Sequence, residues 1–266
     1  MNSFLFNATK TLQSNTFLGL IVGENIITLQ RVNSTNDYLK DNLSNSTPYR
    51  EGTVIMAEDQ YAGKGQVGGI WKSEAGKNLT ISVLFNPVFL APKDQFRLNI
   101  AISLAIMQFL LPHLGDGLRI KWPNDIYYGE KKLGGILIEN SIRGKLWKHA
   151  IVGIGLNINQ THFDIYHSKA CSLKQLLKQT FDIKLLLTEL CHALSHQYAL
   201  LKQGAIAEQK AAYKRHLYRF QTNSRFTIDG QVVNGSIIDV TDEGRLVVDF
   251  GENRVSDFGI KELVFS

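Results

Sequence analysis

Two long apolar segments, Lys132 to Ser141 and Lys145 to Asn157, are joined by little more than Arg143-Gly144, a pair suited to a turn. Strands this long form a hairpin that must bury its apolar side against further strands or helices. The chain supplies both. Ile26 to Val32 is a β-branched run, Thr53 to Ala57 and Asn78 to Phe85 (NLTISVLF) are further apolar strands, and Leu118 to Trp122 is a short one. Ser34 or Thr35 can cap a short helix through Leu43, with Asp37 in its first turn. Pro92 opens a longer helix in which Phe96, Ile100, Leu104, Met107 and Leu111 recur at helical spacing, with enough other apolar positions to bury it on most sides.

Beyond Gln160 the character changes. Ser172 to Thr180, Ile183 to Lys202 and Ala205 to Tyr218 read as helices, the second with Leu186, Leu190, Leu194, Tyr198 and Leu201 on one face. From Asn223 the pattern becomes short strands punctuated at Asp229-Gly230, Asn234-Gly235 and Glu243-Gly244, which suits a small β-barrel of SH3-like type. The expected division is a domain over 1–220 and a second over 221–266.

A chain of 266 residues with 44% hydrophobic and 20% charged residues can bury a substantial core. Its formal charge of +5 suits anionic small molecules or an acidic partner, and no Lys/Arg run is dense enough for a nucleic-acid tail. Cys171 and Cys191 form neither a disulfide framework nor a zinc pattern, which favours a reducing compartment. The N-terminus lacks a signal-peptide pattern, and the apolar stretch around Ile100 to Leu111 is short for a bilayer. The expectation is a cytoplasmic protein without a membrane segment. His162 and His167 read as solvated loop residues rather than metal ligands.

Four motifs carry chemistry. Glu58 to Trp71 (EDQYAGKGQVGGIW) surrounds Lys64 with Gly63, Gly65, Gly68 and Gly69, so backbone N–H groups and one cation can approach an anion closely; a plain turn is the alternative. Lys121-Trp122-Pro123-Asn124-Asp125 follows a strand. It is a good turn sequence, and it also holds a lysine for phosphate charge and an amide and carboxylate for Mg²⁺, directly or through water. Lys132-Leu133-Gly134-Gly135-Ile136-Leu137-Ile138-Glu139 allows close backbone approach and projects Lys132 towards a cleft, unless that lysine is simply on the surface. In Gly153-Ile154-Gly155-Leu156-Asn157 the glycines suit a strand lying against a flat ligand or another backbone, and Asn157 needs partners if buried.

Ser34-Thr35-Asn36, the glycine loop ending in Trp71, KWPND, KLGGILIE, GLNIN and a small β-barrel, in that order, resemble the biotin protein ligases of the type without an N-terminal DNA-binding domain. The resemblance covers Ile26 to the C-terminus and implies an α+β fold shared with class II aminoacyl-tRNA synthetases, a mixed sheet with helices plus the C-terminal barrel. It implies ATP-dependent activation of biotin as biotinyl-5'-AMP and transfer to a lysine of a biotin carboxyl carrier domain of acetyl-CoA carboxylase or another carboxylase. By that resemblance Ser34, Thr35, Asn36 and Gln60 line the biotin pocket. Gly63, Lys64, Gly65 and Gln66 close over biotin and adenylate, and Lys132, beside Gly134 and Gly135, meets the biotin carboxylate and the phosphate. Trp71 shelters adenine, and Lys121, Asn124, Asp125 and Asn157 serve ATP and Mg²⁺. Lys132 and Lys64 are then the catalytic cations, and Asp125 the candidate to orient or deprotonate the acceptor lysine.

The loop departs from the arginine-rich pattern of many members, with Lys64 in place of a bidentate cation and uncharged Gln66, Val67 and Gly69 beside it. Weaker retention of the adenylate is therefore expected. Ser34 stands too near the start to leave room for a helix-turn-helix domain of about 60 residues, so no DNA partner is expected. Free sheet edges make a homodimer an open expectation. The rival readings are a lipoate or octanoate ligase or transferase of related fold, and a non-catalytic SH3-like binding module.

Overall fold

A computed structural model describes residues 21–43, 49–164 and 169–266. Its larger sheet has seven strands: β1 (Ile26–Val32), β2 (Val54–Gln60), β5 (Leu79–Phe85), β6 (Leu118–Lys121), β7 (Asp125–Tyr128), β8 (Lys131–Arg143) and β9 (Leu146–Leu156). Their order is β1-β2-β5-β9-β8-β7-β6, parallel only between β1 and β2. The anticipated hairpin of β8 and β9 lies within this sheet, with β5 flanking β9 and β7 flanking β8. A two-stranded ribbon of β3 (Gly63–Lys64) and β4 (Ile70–Trp71) carries the glycine loop.

The helices divide between the two faces by the period-two logic of the strands. Along β5, Leu79, Ile81, Val83 and Phe85 join a core with α2 (Gln95–Leu114) and α4 (Ile183–Lys202). Leu84 instead joins a smaller cluster with Ile55, Ile151 and Leu39 of α1 (Thr35–Asn42). Helix α2 buries residues all round its circumference, as its composition anticipates. By length and hydropathy the segment Pro92–Gly117 equals a membrane span, longer than the stretch singled out in the sequence, yet most of it is buried inside the protein. Packed under a sheet, it is a core helix. Two shorter helices follow the expected order, α3 (Leu173–Leu177) and α5 (Ile206–Arg215).

Three details differ from expectation. Helix α3 is shorter than Ser172 to Thr180: a Ser172–Gln175 capping box starts it, and left-handed Lys178 (φ 59°) ends it. Asn234-Gly235 is no turn. Gly235 lies inside β11 (Gln231–Val240), opposite Ser224 of β10 (Asn223–Ile228), where a Cβ would come within 2.8 Å of Val248. Asp229-Gly230, with φ of 49° and 79°, makes the β10–β11 hairpin instead, because a primed turn needs both residues left-handed. Finally, Asp125 opens β7, a strand unanticipated in the sequence, so KWPND is the connection of a β6–β7 hairpin.

The C-terminal sheet has the order β13-β12-β11-β10-β14, adding β12 (Leu246–Asp249), β13 (Val255–Phe258) and β14 (Val264–Phe265), all antiparallel. That is consistent with an SH3-like unit. It grips the first sheet through the KWPND connection. The indole N–H of Trp122 donates to the Gly244 carbonyl at 2.9 Å, and Lys210 and Lys214 of α5 pair with Asp242 and Asp239.

Candidate functional site

A cavity of about 270 Å³ opens on the face of the large sheet opposite α2 and α4. Strand register builds its floor. Ser82, Gly153 and Leu137 form one row across β5, β9 and β8, and Thr80, Gly155, Gly135 and Asp125 form the next, ending on β7. The small residues in these rows make the depth. A Cβ on Gly153 would lie 2.6 Å from Asn36 Oδ1, and one on Gly155 would lie 2.5 Å from the Trp71 indole. The alternating glycines of the GLNIN segment thus admit two side chains, an amide and an indole, rather than another backbone.

One end is polar and buried. Ser34 is the N-cap of α1, its Oγ accepting from Asp37 N at 3.4 Å, which brings Ser34, Thr35 and Asn36 to the cavity wall, each 3% exposed. Gln60, at the end of β2, accepts from the Thr35 N–H through Oε1 at 2.9 Å, and its Nε2 has no hydrogen-bond partner among the described residues. Ser82 Oγ lies 2.7 Å from Thr35 Oγ1 and 2.5 Å from Asn36 Oδ1, while Asn36 Nδ2 donates to Glu139 Oε2 at 2.7 Å.

The other end is charged. Lys132 Nζ pairs with Asp125 Oδ1 at 2.6 Å, beside Gly135, whose missing side chain leaves them room. Asn124 donates its Nδ2 to the Ile136 carbonyl, leaving its amide oxygen unspent. The KWPND connection is further held by Asn99, which donates to the Pro123 carbonyl at 2.7 Å.

The glycine loop forms the lid. Lys64, Gly65, Gln66 and Trp71 line the cavity, as do Gly69 and Ile70. Lys64 is tied to Asp37 at 2.6 Å, and that hydrogen bond raises its pKa. The lid's tip is unusual: Val67 is left-handed (φ 51°), which a β-branched residue adopts only at a cost, and both Val67 and Ile70 are exposed. Trp71 Nε1 is buried without a hydrogen-bond partner among the described residues, a donor that a ligand can satisfy.

Four residues of the sequence reading stand outside the lining. Gly63 sits at the lid's base, where a Cβ would collide with Gln60 Nε2 and the Trp71 carbonyl. Gly134 faces the opposite way, its place for a Cβ filled by Leu156 and the Gly155 carbonyl. Lys121 lies 3.2 Å from Tyr127 Oη and over the rings of Tyr127 and Phe265; burial lowers its pKa, with Asp125 acting in the opposite sense. Asn157 spends its Nδ2 on the Cys171 carbonyl at 3.1 Å and its backbone N–H on the Leu133 carbonyl, so its buried amide joins β9 to the start of α3. His162 is exposed beside Thr161, and His167 lies outside the described residues.

Thr80, Ser82 and Glu139 were absent from the sequence reading of the site. Their signal was present: polar residues two apart in NLTISVLF, and a carboxylate closing KLGGILIE, both on the sheet face opposite α2 and α4. Among the described residues no group of three His, Cys, Asp or Glu side chains gathers around a metal position.

Residues 28–157 match the model of the biotin/lipoate A/B protein ligase family. The bifunctional ligase/repressor BirA of Bacillus spizizenii is 26% identical over 246 residues, 91% of this chain and 73% of that protein. The biotin–[acetyl-CoA-carboxylase] ligase of Mycobacterium tuberculosis is 28% identical over 211 residues, 77% of this chain and 76% of its own length. The biotin protein ligase of Aquifex aeolicus, solved in complex with biotin and ATP, superimposes with a TM-score of 0.76 at 24% identity, covering 91% of this chain and 99% of that one. At that identity the likeness speaks to fold.

Proposed function

The chain belongs to the biotin/lipoate A/B protein ligase family through its residues 28–157, and from that premise we propose that it activates biotin as biotinyl-5'-AMP and transfers it to a lysine of a biotin carboxyl carrier domain. The family embraces lipoate as well as biotin, so the choice rests on one observation. The closed end of the cavity is a buried wall of Ser34, Thr35, Asn36 and Gln60, with Ser82 behind Thr35 and Asn36. A dithiolane ring or an octanoyl tail would leave the Gln60 Nε2 and Ser34 hydroxyl protons unpaired, at about 1–3 kcal/mol each. A cyclic urea matches them: Gln60 Nε2 and the Ser34 hydroxyl have protons to donate to its carbonyl, and Thr35 Oγ1 has lone pairs for an N–H.

With the ureido ring at that end, the valerate chain runs along the Gly153–Gly155 floor towards Lys132 and Asp125. A carboxylate oxygen attacks the α-phosphorus of ATP, diphosphate leaves, and a mixed anhydride forms. Lys132, and Lys64 once it exchanges Asp37 for phosphate, offset the negative charge that gathers between the two anions. Trp71 and the ribbon it ends cover the anhydride against water. The acceptor lysine, as the free amine, then attacks the acyl carbon and AMP departs; Asp125 is the group placed to orient it or take its proton. Mg²⁺ neutralises phosphate charge in such a reaction. The Asp125 carboxylate and the Asn124 amide oxygen would hold it, a donor set that suits an ion carried by the nucleotide more than one caged by the protein.

The name of the Mycobacterium tuberculosis relative supports a carboxylase as acceptor. We read the protein as two domains, 1–220 and 221–266, acting in the cytoplasm without a membrane partner; the two buried free cysteines and the burial of α2 support that placement. Transfer of labelled biotin to a carrier domain, with ATP required and Lys132→Ala as control, tests the proposal. Full activity in that variant would overturn the assignment of Lys132, and preference for lipoate would overturn the substrate.

A further inference from the structure

The buried wall at the closed end contains more polar atoms than a small ligand can contact, and their donors and acceptors form a directed chain. Asn36 Nδ2 lies 2.7 Å from Glu139 Oε2 and 3.4 Å from the Leu137 carbonyl. Both are acceptors, so the amide must present its nitrogen there and its oxygen to Ser82. Ser82 has one proton and two neighbours, Asn36 Oδ1 at 2.5 Å and Thr35 Oγ1 at 2.7 Å. The amide oxygen can only accept, so Ser82 donates to it. Thr35 must then spend its own proton inside the protein, on Ser82 Oγ or on Gln60 Oε1 at 3.3 Å. Towards the cavity, Thr35 Oγ1 is left as an acceptor and nothing else.

We propose that Glu139 is a positioning residue that sets the polarity of this wall, by terminating a hydrogen-bond chain that runs Thr35 to Ser82 to Asn36 to its own carboxylate. The inference rests on the biotin reading of the cavity. An ionised carboxylate offers acceptors only, so it permits one orientation of Asn36 and, through it, one direction of the chain. Gly153 supports the same orientation from below by leaving Asn36 Oδ1 the space a side chain would take. Thr35, Asn36 and Ser82, 3% exposed or less, cannot exchange these partners for water, while Glu139 at the end of the chain is half-buried. Glu139 thereby selects for a ligand N–H opposite Thr35 without touching the ligand.

An amide in place of the carboxylate removes the constraint. In Glu139→Gln, Asn36 can turn over, donate to Ser82, and let Thr35 offer its proton to the ligand. The test compares biotin with its two cyclic carbamate analogues, each with one ring N–H replaced by oxygen, in ATP-dependent adenylate formation. Wild type should select strongly against the analogue whose oxygen faces Thr35. In E139Q the KM for biotin should rise about tenfold with kcat within about twofold, and selectivity against that analogue should fall about tenfold. A purely structural role would weaken all three ligands in proportion and lower the melting temperature, with selectivity intact. That result, with wild type turning over biotin, overturns the inference. Should E139Q not fold, Ser82→Ala cuts the chain at its middle and must show the same loss of selectivity; unchanged selectivity there overturns it equally. Failure of wild type to use biotin would refute the substrate reading instead.

Discussion

Gly155→Ala is a one-carbon probe of how the lid seats on the sheet. Its backbone needs no left-handed conformation, so alanine costs no strain there. The added Cβ would lie 2.5 Å from Trp71 Cε2, 2.7 Å from Cζ2 and 2.9 Å from Nε1. Carbon atoms pack at about 3.5–4.0 Å, so the near edge of the indole must withdraw by about 1 Å or more. Trp71 belongs to a two-stranded ribbon outside the main core, and it is the indole that gives way. A misplacement of about 1 Å at a catalytic cover costs on the order of 100-fold, or about 2.7 kcal/mol of barrier. The expected result is a 10- to 100-fold drop in ATP–diphosphate exchange by those same estimates, with biotin affinity by calorimetry within about twofold because the polar end is untouched. Gly153→Ala makes the converse control, since its Cβ meets Asn36 and should weaken biotin binding first. Exchange within twofold of wild type in Gly155→Ala refutes the reasoning. So does a loss of activity that merely follows a loss of thermal stability.

The remaining predictions concern the lid, the cysteines and acid. Biotinyl-AMP should leave this enzyme faster than it leaves an arginine-rich relative, because the lid offers only Lys64, already paired with Asp37, and an uncharged Gln66; quench-flow of adenylate release without carrier decides it, and equal retention refutes it. Burial pushes the thiols of Cys171 and Cys191 up to about 11, so at pH 8 the thiolate is about 100-fold scarcer than for an unperturbed thiol. Both should resist iodoacetamide until the chain is unfolded by denaturant, and rapid native labelling would contradict their burial. Burial also lowers the pKa of His149 and His216 below the usual imidazole value of 6.5, so folding favours their neutral forms. Their contribution is complete above pH 6.5 and is lost as the pH falls through the lowered folded values. The melting temperature should drop between pH 7.5 and 5.5, and His216→Gln should flatten part of that drop.

Much of this molecule was readable from local pattern. The β8–β9 hairpin, helix α2 and the Ser34 cap of α1 follow from apolar periodicity and one capping hydroxyl, which depend only on neighbours in the chain. What failed locally failed for a shared reason. Asn234-Gly235 carries a turn signal, but its backbone is committed to Ser224 and Arg225 across β10, and a ladder of such pairs outweighs one dipeptide's preference.

The order of motifs along the chain also carried the resemblance to the biotin protein ligases, because KWPND and KLGGILIE keep their identity wherever the fold puts them. Tertiary structure decided which of their residues face one another. Register placed Thr80, Ser82, Gly153, Gly155, Leu137 and Gly135 in two rows on one side of the sheet, turned Gly134 to the other side, and sent Asn157 to Cys171. A strand's side chains alternate faces every residue, so a motif of eight splits between cavity and core; which half faces the cavity depends on partners far away in sequence. The direction of the hydrogen-bond chain from Thr35 to Glu139 could not be read from the sequence for the same reason. Its four residues come from three separate segments, and only the folded sheet sets one proton between two acceptors.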